Sequence, residues 1–96
     1  MRPSQALEIR RSDVRAAVGR YRTENLRVFG SVVHGTDQEG SDLDLLVDAL
    51  PGATLFDLGE LQDEIESLLG IQVDLLTPFD LPAKFRDQVL LEARPV

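Results

Sequence analysis

Short apolar runs alternate with longer amphipathic segments along this chain of 96 residues. Runs rich in Leu, Val and Ile and bounded by turn residues predict three strands, at 26–29, 41–47 and 71–76. Amphipathic segments predict helices at 4–22, 54–69 and 81–92. This order of elements predicts an α/β or α+β fold in which helices pack on a sheet, with the strand order left open.

Residues at the ends of the segments indicate where two of these helices begin or stop. Thr54 with Asp57 resembles a capping box, and Gly70 suits a C-terminal stop. Asp80 is placed to cap the last helix, whose apolar anchors include Phe85. The pattern therefore defines the helix at 54–69 best.

Composition limits the classes of protein that this chain can belong to. Hydrophobic residues make up 43% of it, enough for one modest core, so we expect a single domain over residues 1–96. There is no cysteine and no apolar run of membrane-spanning length, so we expect a cytoplasmic protein without a membrane partner. The net charge of −7 argues against binding along a nucleic acid backbone, which needs a basic surface.

Two carboxylates lie two residues apart in the second predicted strand. Asp42 and Asp44 alternate with leucines, so both should point to one face of the sheet. Side chains in this arrangement can hold Mg²⁺ between them. The alternative is a half-solvated strand that carries two Asp on its wet face.

A small-residue turn precedes this strand. The apolar run at 26–29 ends at Gly30 and Ser31, where a helical turn should begin. Gly30 permits close approach by a ligand, and Ser31 can offer its hydroxyl to a phosphate. An isolated Gly-Ser is usually an ordinary strand-to-helix turn. Joined to Asp42 and Asp44, it indicates a nucleotide-binding, metal-dependent transferase site.

Asp74 offers a third carboxylate. It interrupts the third predicted strand at a position that we expect to be largely buried, where an Asp is unfavourable unless it is paired or binds a metal. If that strand lies beside the second, Asp74 joins Asp42 and Asp44, ligates a second metal ion and takes the proton from an attacking hydroxyl. The alternatives are a carboxylate at a strand edge and one paired with Arg.

These segments together resemble the minimal nucleotidyltransferases, small members of the DNA polymerase beta-like superfamily. The resemblance rests on Arg-Val-Phe-Gly-Ser-Val-Val-His-Gly at 27–35, Ser-Asp-Leu-Asp-Leu-Leu-Val at 41–47 and Leu-Leu-Gly-Ile-Gln-Val-Asp-Leu-Leu-Thr at 68–77. It extends over essentially the whole chain. In particular, the chain resembles the antitoxin halves of HEPN–MNT toxin–antitoxin pairs.

The resemblance implies a small mixed sheet of about three to four strands and a set of roles for the residues above. It implies Mg²⁺, two ions in the two-metal scheme, held by Asp42, Asp44 and Asp74, with the triphosphate around Gly30 and Ser31. It also implies transfer of AMP from ATP to a tyrosine of a partner HEPN-type toxin, which is thereby silenced.

The chain departs from the family pattern at His34. The usual pattern is Gly-Ser-x-x-Arg-Gly, in which Arg is a permanent cation near the phosphates. His34 can donate a hydrogen bond to a phosphate or can simply be a surface residue on a short helix. This difference keeps a rival hypothesis open, a catalytically idle antitoxin that blocks its partner by contact. A small-molecule nucleotidyltransferase is a third hypothesis, but such proteins carry a further domain for the acceptor.

Overall fold

The computed structural model describes all 96 residues, Met1–Val96. It contains five α-helices, which are α1 (Pro3–Ile9), α2 (Arg11–Val18), α3 (Ser31–His34), α4 (Leu55–Leu69) and α5 (Ala83–Glu92). Its four strands are β1 (Thr23–Phe29), β2 (Leu43–Ala49), β3 (Val73–Leu76) and β4 (Arg94–Pro95). A short 3-10 helix, Pro78–Asp80, lies between β3 and α5. No helix is both long enough and apolar enough to cross a membrane.

The strands form one mixed sheet in the order β3-β2-β1-β4. β1 pairs antiparallel with both β2 and β4, whereas β2 pairs parallel with β3. The long helix α4 makes the crossover that a parallel pair requires. The predicted fold class, a small mixed sheet of about three to four strands with helices packed on it, is confirmed.

The core lies between one face of the sheet and helices α2 and α4. Leu43, Leu45 and Val47 point to this face of β2 and are fully buried. Leu61 and Ile65, one turn apart on α4, are fully buried against them. The helical and strand periodicities of the sequence therefore meet at a single interface.

α4 begins and ends where the pattern predicted. The hydroxyl of Thr54 accepts a hydrogen bond from the backbone N–H of Asp57, and the Asp57 carboxylate accepts one from the backbone N–H of Thr54. Gly70 ends the helix with a left-handed backbone, at φ 69°. Caps of this kind satisfy the free polar groups of the helix ends, which explains why the termini could be read from the sequence.

The first predicted helix is wrong in extent. The segment at 4–22 is divided at Arg10, whose backbone leaves the helical region at φ −111° and ψ 22°, and the second piece stops at Val18. Arg22 then takes a left-handed backbone, at φ 55°, and turns the chain into β1. β1 consequently starts at Thr23, three residues earlier than predicted.

The last predicted helix is also wrong at its start and in its packing. Asp80 does not cap it, because the Asp80 carboxylate accepts hydrogen bonds from the backbone and hydroxyl of Thr77 and closes the 3-10 turn. Pro82 is extended, so α5 begins only at Ala83. No residue of α5 is buried, and Phe85 is 53% exposed rather than an anchor. The two-residue strand β4 was not predicted.

Candidate active site

The pairing of the strands brings three of the predicted site residues to one end of the sheet. Phe29, the last residue of β1, lies opposite Asp44 in the antiparallel ladder. Asp44 in turn lies opposite Asp74 in the parallel ladder. Gly30, which follows Phe29, therefore stands on one side of Asp44 and Asp74 on the other.

Gly30 and Asp44 are in direct contact. The backbone of Gly30 has φ 73° and ψ −143°, a combination that is almost confined to glycine. A Cβ atom added to Gly30 would collide with Oδ2 of Asp44 and would lie 3.1 Å from its Cγ. Glycine is thus required here both for the backbone conformation and for the approach of the carboxylate.

The carboxyl of Asp44 is held in an unfavourable electrostatic environment. Its pKa rises from 3.8 to about 6, chiefly because burial disfavours the charged form. The charge of Asp74, a hydrogen bond to Asp74 and the charge of Asp42 raise it further. No ion pair of the structure involves any of these three residues, so no cation of the chain balances them.

Asp42 and Asp74 are more accessible than Asp44. Asp42 directly precedes β2 and is exposed. The expected burial of Asp74 is wrong, since its side chain is exposed. Its neighbours Val73 and Leu75 point to the helix-covered face and are buried, whereas Asp74 points to the opposite face of an edge strand.

The chemistry of this cluster suits a divalent cation. Mg²⁺ prefers carboxylate oxygens, and three unbalanced carboxylates supply them. No three Asp, Glu, His or Cys side chains are drawn in closely enough to surround an ion. Asp44 and Asp74 are the close pair, while Asp42 contributes its charge with a smaller effect. The chemical type of Asp42, Asp44 and Asp74 therefore suits them as ligands of Mg²⁺.

The predicted phosphate turn forms a short helix whose last residue makes an unexpected contact. α3 starts at Ser31, as predicted, and Gly35 ends it with a left-handed backbone. Nε2 of His34 lies 2.8 Å from Oε2 of Glu92, at the end of α5. Ser31 is the first residue of α3 and directly follows Gly30.

Sequence reasoning missed two features of this region. Glu92 is 58 residues from His34, and no spacing rule connects a four-residue helix to the end of another one. A hollow of about 310 Å³ also lies beside Asp42, between the loops that enter β2 and β3. Its lining comes from both loops, at 39–42 and 70–72, and from Met1. Loop geometry of this kind leaves no trace in hydrophobic periodicity.

The family model described as nucleotidyltransferase domain matches residues 10–96. The protein adenylyltransferase MntA of Thermococcus cleftensis is 38% identical over 73 residues, which cover 76% of this chain and 74% of that protein. A protein of Methanocaldococcus jannaschii assigned as the protein adenylyltransferase MJ0435 is 39% identical over 66 residues, covering 69% of this chain and 71% of that protein.

Solved structures agree with the fold. A protein assigned as a minimal nucleotidyltransferase superposes with a TM-score of 0.86 at 42% identity, covering 97% of this chain and 95% of that one. A chain from a crystal structure of a toxin–antitoxin with AMP-PNP superposes with a TM-score of 0.71 at 20% identity, covering 97% and 71%. At that identity the second likeness concerns the fold alone.

Proposed function

The chain belongs to the nucleotidyltransferase domain family and is a minimal nucleotidyltransferase of the DNA polymerase beta-like superfamily, and we propose that it transfers AMP from ATP to a hydroxyl of a partner protein. The proposed partner is a HEPN-type toxin, the acceptor is a tyrosine, and the modification neutralises the toxin. We place the reaction in the cytoplasm, because the chain has no cysteine.

The observation that carries the proposal is the contact between Gly30 and Asp44. It places the turn proposed for the phosphates against the carboxylate proposed for the metal, as one unit. An accidental pair of Asp on a wet strand would not require a glycine in a glycine-only conformation beside it.

Each residue has a proposed role. Gly30 and Ser31 bind the β- and γ-phosphates, and His34 donates to a phosphate oxygen. Asp42, Asp44 and Asp74 would hold Mg²⁺, and this ion would neutralise charge on the triphosphate and lower the pKa of the acceptor hydroxyl. Asp74, being exposed, also accepts the proton of that hydroxyl.

The order of the strands supports an in-line reaction. Because β2 lies between β1 and β3, the phosphate turn of β1 and the Asp74 carboxylate of β3 flank Asp44 from opposite sides. The acceptor oxygen attacks the α-phosphorus from the β3 side, the bond to the bridging oxygen breaks, and pyrophosphate leaves toward Gly30. The hollow beside Asp42 lies between the entries to β2 and β3, where an acceptor segment would approach.

The openness of the site supports a protein as the acceptor. Asp42 and Asp74 are both exposed, so nothing in the chain encloses a small acceptor over them. A protein that brings its own surface can close such a site. The protein adenylyltransferase names of the relatives and the family resemblance support a protein hydroxyl and ATP as the donor.

Transfer of label tests the proposal. Lysate of the native host is incubated with α-phosphate-labelled ATP, Mg²⁺ and either the wild-type protein or Asp44→Asn. We expect one labelled protein band with wild type and none with the variant, and tyrosine should carry the label. Asp48→Asn is the matched control, because it removes a carboxylate from the same strand while leaving the cluster intact. Absence of label with wild type would contradict the proposal.

Two observations favour the idle antitoxin as a second candidate. The three carboxylates are not drawn together around an ion, and His34 is already engaged by Glu92. Titration of the toxin separates the two functions. A catalyst neutralises it at substoichiometric amounts with ATP and Mg²⁺, whereas a blocker needs about one equivalent and no nucleotide.

A further inference from the structure

His34 ends the phosphate turn and is held from a distant part of the chain. Oε2 of Glu92 lies 2.8 Å from Nε2 of His34, and Oε1 of Glu92 accepts a hydrogen bond of 2.6 Å from Nε2 of Gln88. Nδ1 of His34 makes no hydrogen bond within the chain, and the His34 side chain is 54% exposed. One ring nitrogen is therefore fixed and the other is available to a ligand.

The helix that carries Glu92 is anchored at its other end. The guanidinium of Arg86 donates to the backbone oxygens of Pro78 and Leu81, at 2.8 and 2.9 Å. Gln88 and Glu92 lie one turn apart on the same face of α5. The position of Glu92 beside His34 is therefore fixed by the anchored helix and by the hydrogen bond from Gln88.

The hydrogen-bonding chemistry of imidazole gives this contact a consequence. The hydrogen bonds from Gln88 and then His34 hold the pKa of Glu92 below its ordinary value, so Glu92 is a carboxylate that only accepts. Nε2 of His34 must then carry a proton. If Nδ1 also faces a phosphate oxygen, it must donate as well, and only the doubly protonated ring donates at both nitrogens.

We propose that Glu92 is a positioning residue for nucleotide binding, which orients His34 through Nε2 and so presents Nδ1 as a charged donor to the triphosphate. This inference rests on the proposed function, because it takes the triphosphate to lie at Gly30 and Ser31. The carboxylate does not touch the nucleotide. Its effect should therefore fall on nucleotide affinity and not on the chemical step.

Glu92→Gln, compared with Asp87→Asn, tests this role. Both changes neutralise one carboxylate on α5, and Asp87 is exposed and makes no hydrogen bond or ion pair. We expect Glu92→Gln to raise the Kd for AMP-PNP with Mg²⁺, and the KM for ATP, about fivefold, with kcat within about twofold of wild type. Asp87→Asn should leave all three unchanged. In a His34→Ala background, Glu92→Gln should have no further effect.

The imidazole can be observed directly, because the chain contains a single histidine. In nitrogen-15 spectra, AMP-PNP with Mg²⁺ should shift the Nδ1 resonance toward the doubly protonated form in wild type, and Glu92→Gln should weaken that shift. Equal Kd values for wild type and Glu92→Gln, or an effect that persists without His34, would overturn the inference. Thermal unfolding of each variant shows whether it is folded.

Failure of this inference can be distinguished from failure of the proposed function. Wild type that binds AMP-PNP but transfers no label contradicts the proposed function, while the Kd values still decide the role of Glu92. Label transfer with equal Kd values overturns the role of Glu92 alone. Wild type that does not bind AMP-PNP at millimolar concentration overturns both.

Discussion

The two faces of β2 differ in the side chains that they carry and in what those side chains contribute to stability. One face carries Leu43, Leu45 and Val47, which are fully buried against the helices. The opposite face carries Asp44 and Asp48, and these two carboxylates differ from each other. Asp48 is paired with Arg27 at 2.6 Å, whereas Asp44 has no cation and faces Asp74. A single strand therefore combines packing that stabilises the fold with a charge arrangement that opposes it at the candidate site.

Leu45→Ala should have the largest effect on stability. It removes a fully buried side chain from the packed face, and we expect unfolding to become easier by about 3–5 kcal/mol. Urea unfolding followed by circular dichroism measures the change. Leu55→Ala is the matched control, because Leu55 is 83% exposed and should lose under about 0.5 kcal/mol. Similar losses at both positions would contradict the assignment of the core face.

Gly30→Ala should have the next largest effect on stability, because Gly30 lies in the phosphate turn and contacts Asp44 of β2. The new methyl group must displace the Asp44 carboxylate, and the alanine must adopt a backbone conformation that is almost confined to glycine. We therefore expect the free energy of unfolding to fall by about 3 kcal/mol and AMP transfer to be almost completely lost. Gly35→Ala controls for positive φ alone, since Gly35 has φ 71° and nothing within 4 Å of its added Cβ.

The contact and the backbone contribution of Gly30 can be separated. In an Asp44→Ala background the obstructing carboxylate is gone, so Gly30→Ala should become less destabilising than in wild type. Equal losses in both backgrounds would show that the contact between Gly30 and Asp44 contributes nothing to stability.

Asp44→Asn should have the opposite sign and stabilise the protein while abolishing transfer. The folded pKa of Asp44, about 6, lies above its ordinary value of 3.8, so protonation favours the folded state. That stability is fully present at pH values below 3.8 and is lost as pH rises through about 6. With a chelator present, the variant should exceed wild type by about 1–2 kcal/mol at pH 8, a value discounted because the carboxyl is only half-buried.

The pH dependence and a control on the same strand sharpen this prediction. Urea unfolding at pH 5, 6, 7 and 8 should show the advantage of Asp44→Asn growing through pH 6. Asp48→Asn should instead destabilise, because it breaks the pair with Arg27 and a hydrogen bond from Asn25. Stabilisation by both substitutions, or by neither, would remove the contrast between the paired and the unpaired carboxylate.

The sequence predicted the parts of this molecule that depend on local chemistry. Alternation in β2 placed Asp44 opposite the buried leucines, and Thr54 with Gly70 marked the ends of α4. The parts that failed depend on distant contacts. Asp74 is exposed because β3 lies at the edge of the sheet, and edge position is a property of strand order.

The partner of His34 could not be predicted for the same reason. Glu92 reaches it only because α5 crosses from the end of β3 to α3, and hydrophobic periodicity does not encode that path. Asp80 failed as a helix cap because Thr77 competes for it. A capping residue can be recognised from sequence, but the backbone group that it serves depends on the turn that forms.

Glu66→Ala should have the smallest effect. It tests whether the hydrogen bonds between the β3 backbone and α4 contribute to stability, as the buried leucines of the packed face do. The outward N–H groups of β3 are covered by α4, since Val73 donates to Glu66 at 2.9 Å and Leu75 donates to Gln62 at 3.2 Å. Removing the Glu66 carboxylate should lower the free energy of unfolding by about 1 kcal/mol and free an N–H group on an edge strand. Asp63→Ala, an exposed position on the same helix, should do neither. Sedimentation velocity would show whether the uncovered edge increases self-association, as unpaired edges tend to do. An unchanged free energy of unfolding would mean that water replaces the carboxylate without loss. Only the apolar side chains of the packed face would then stabilise this part of the fold.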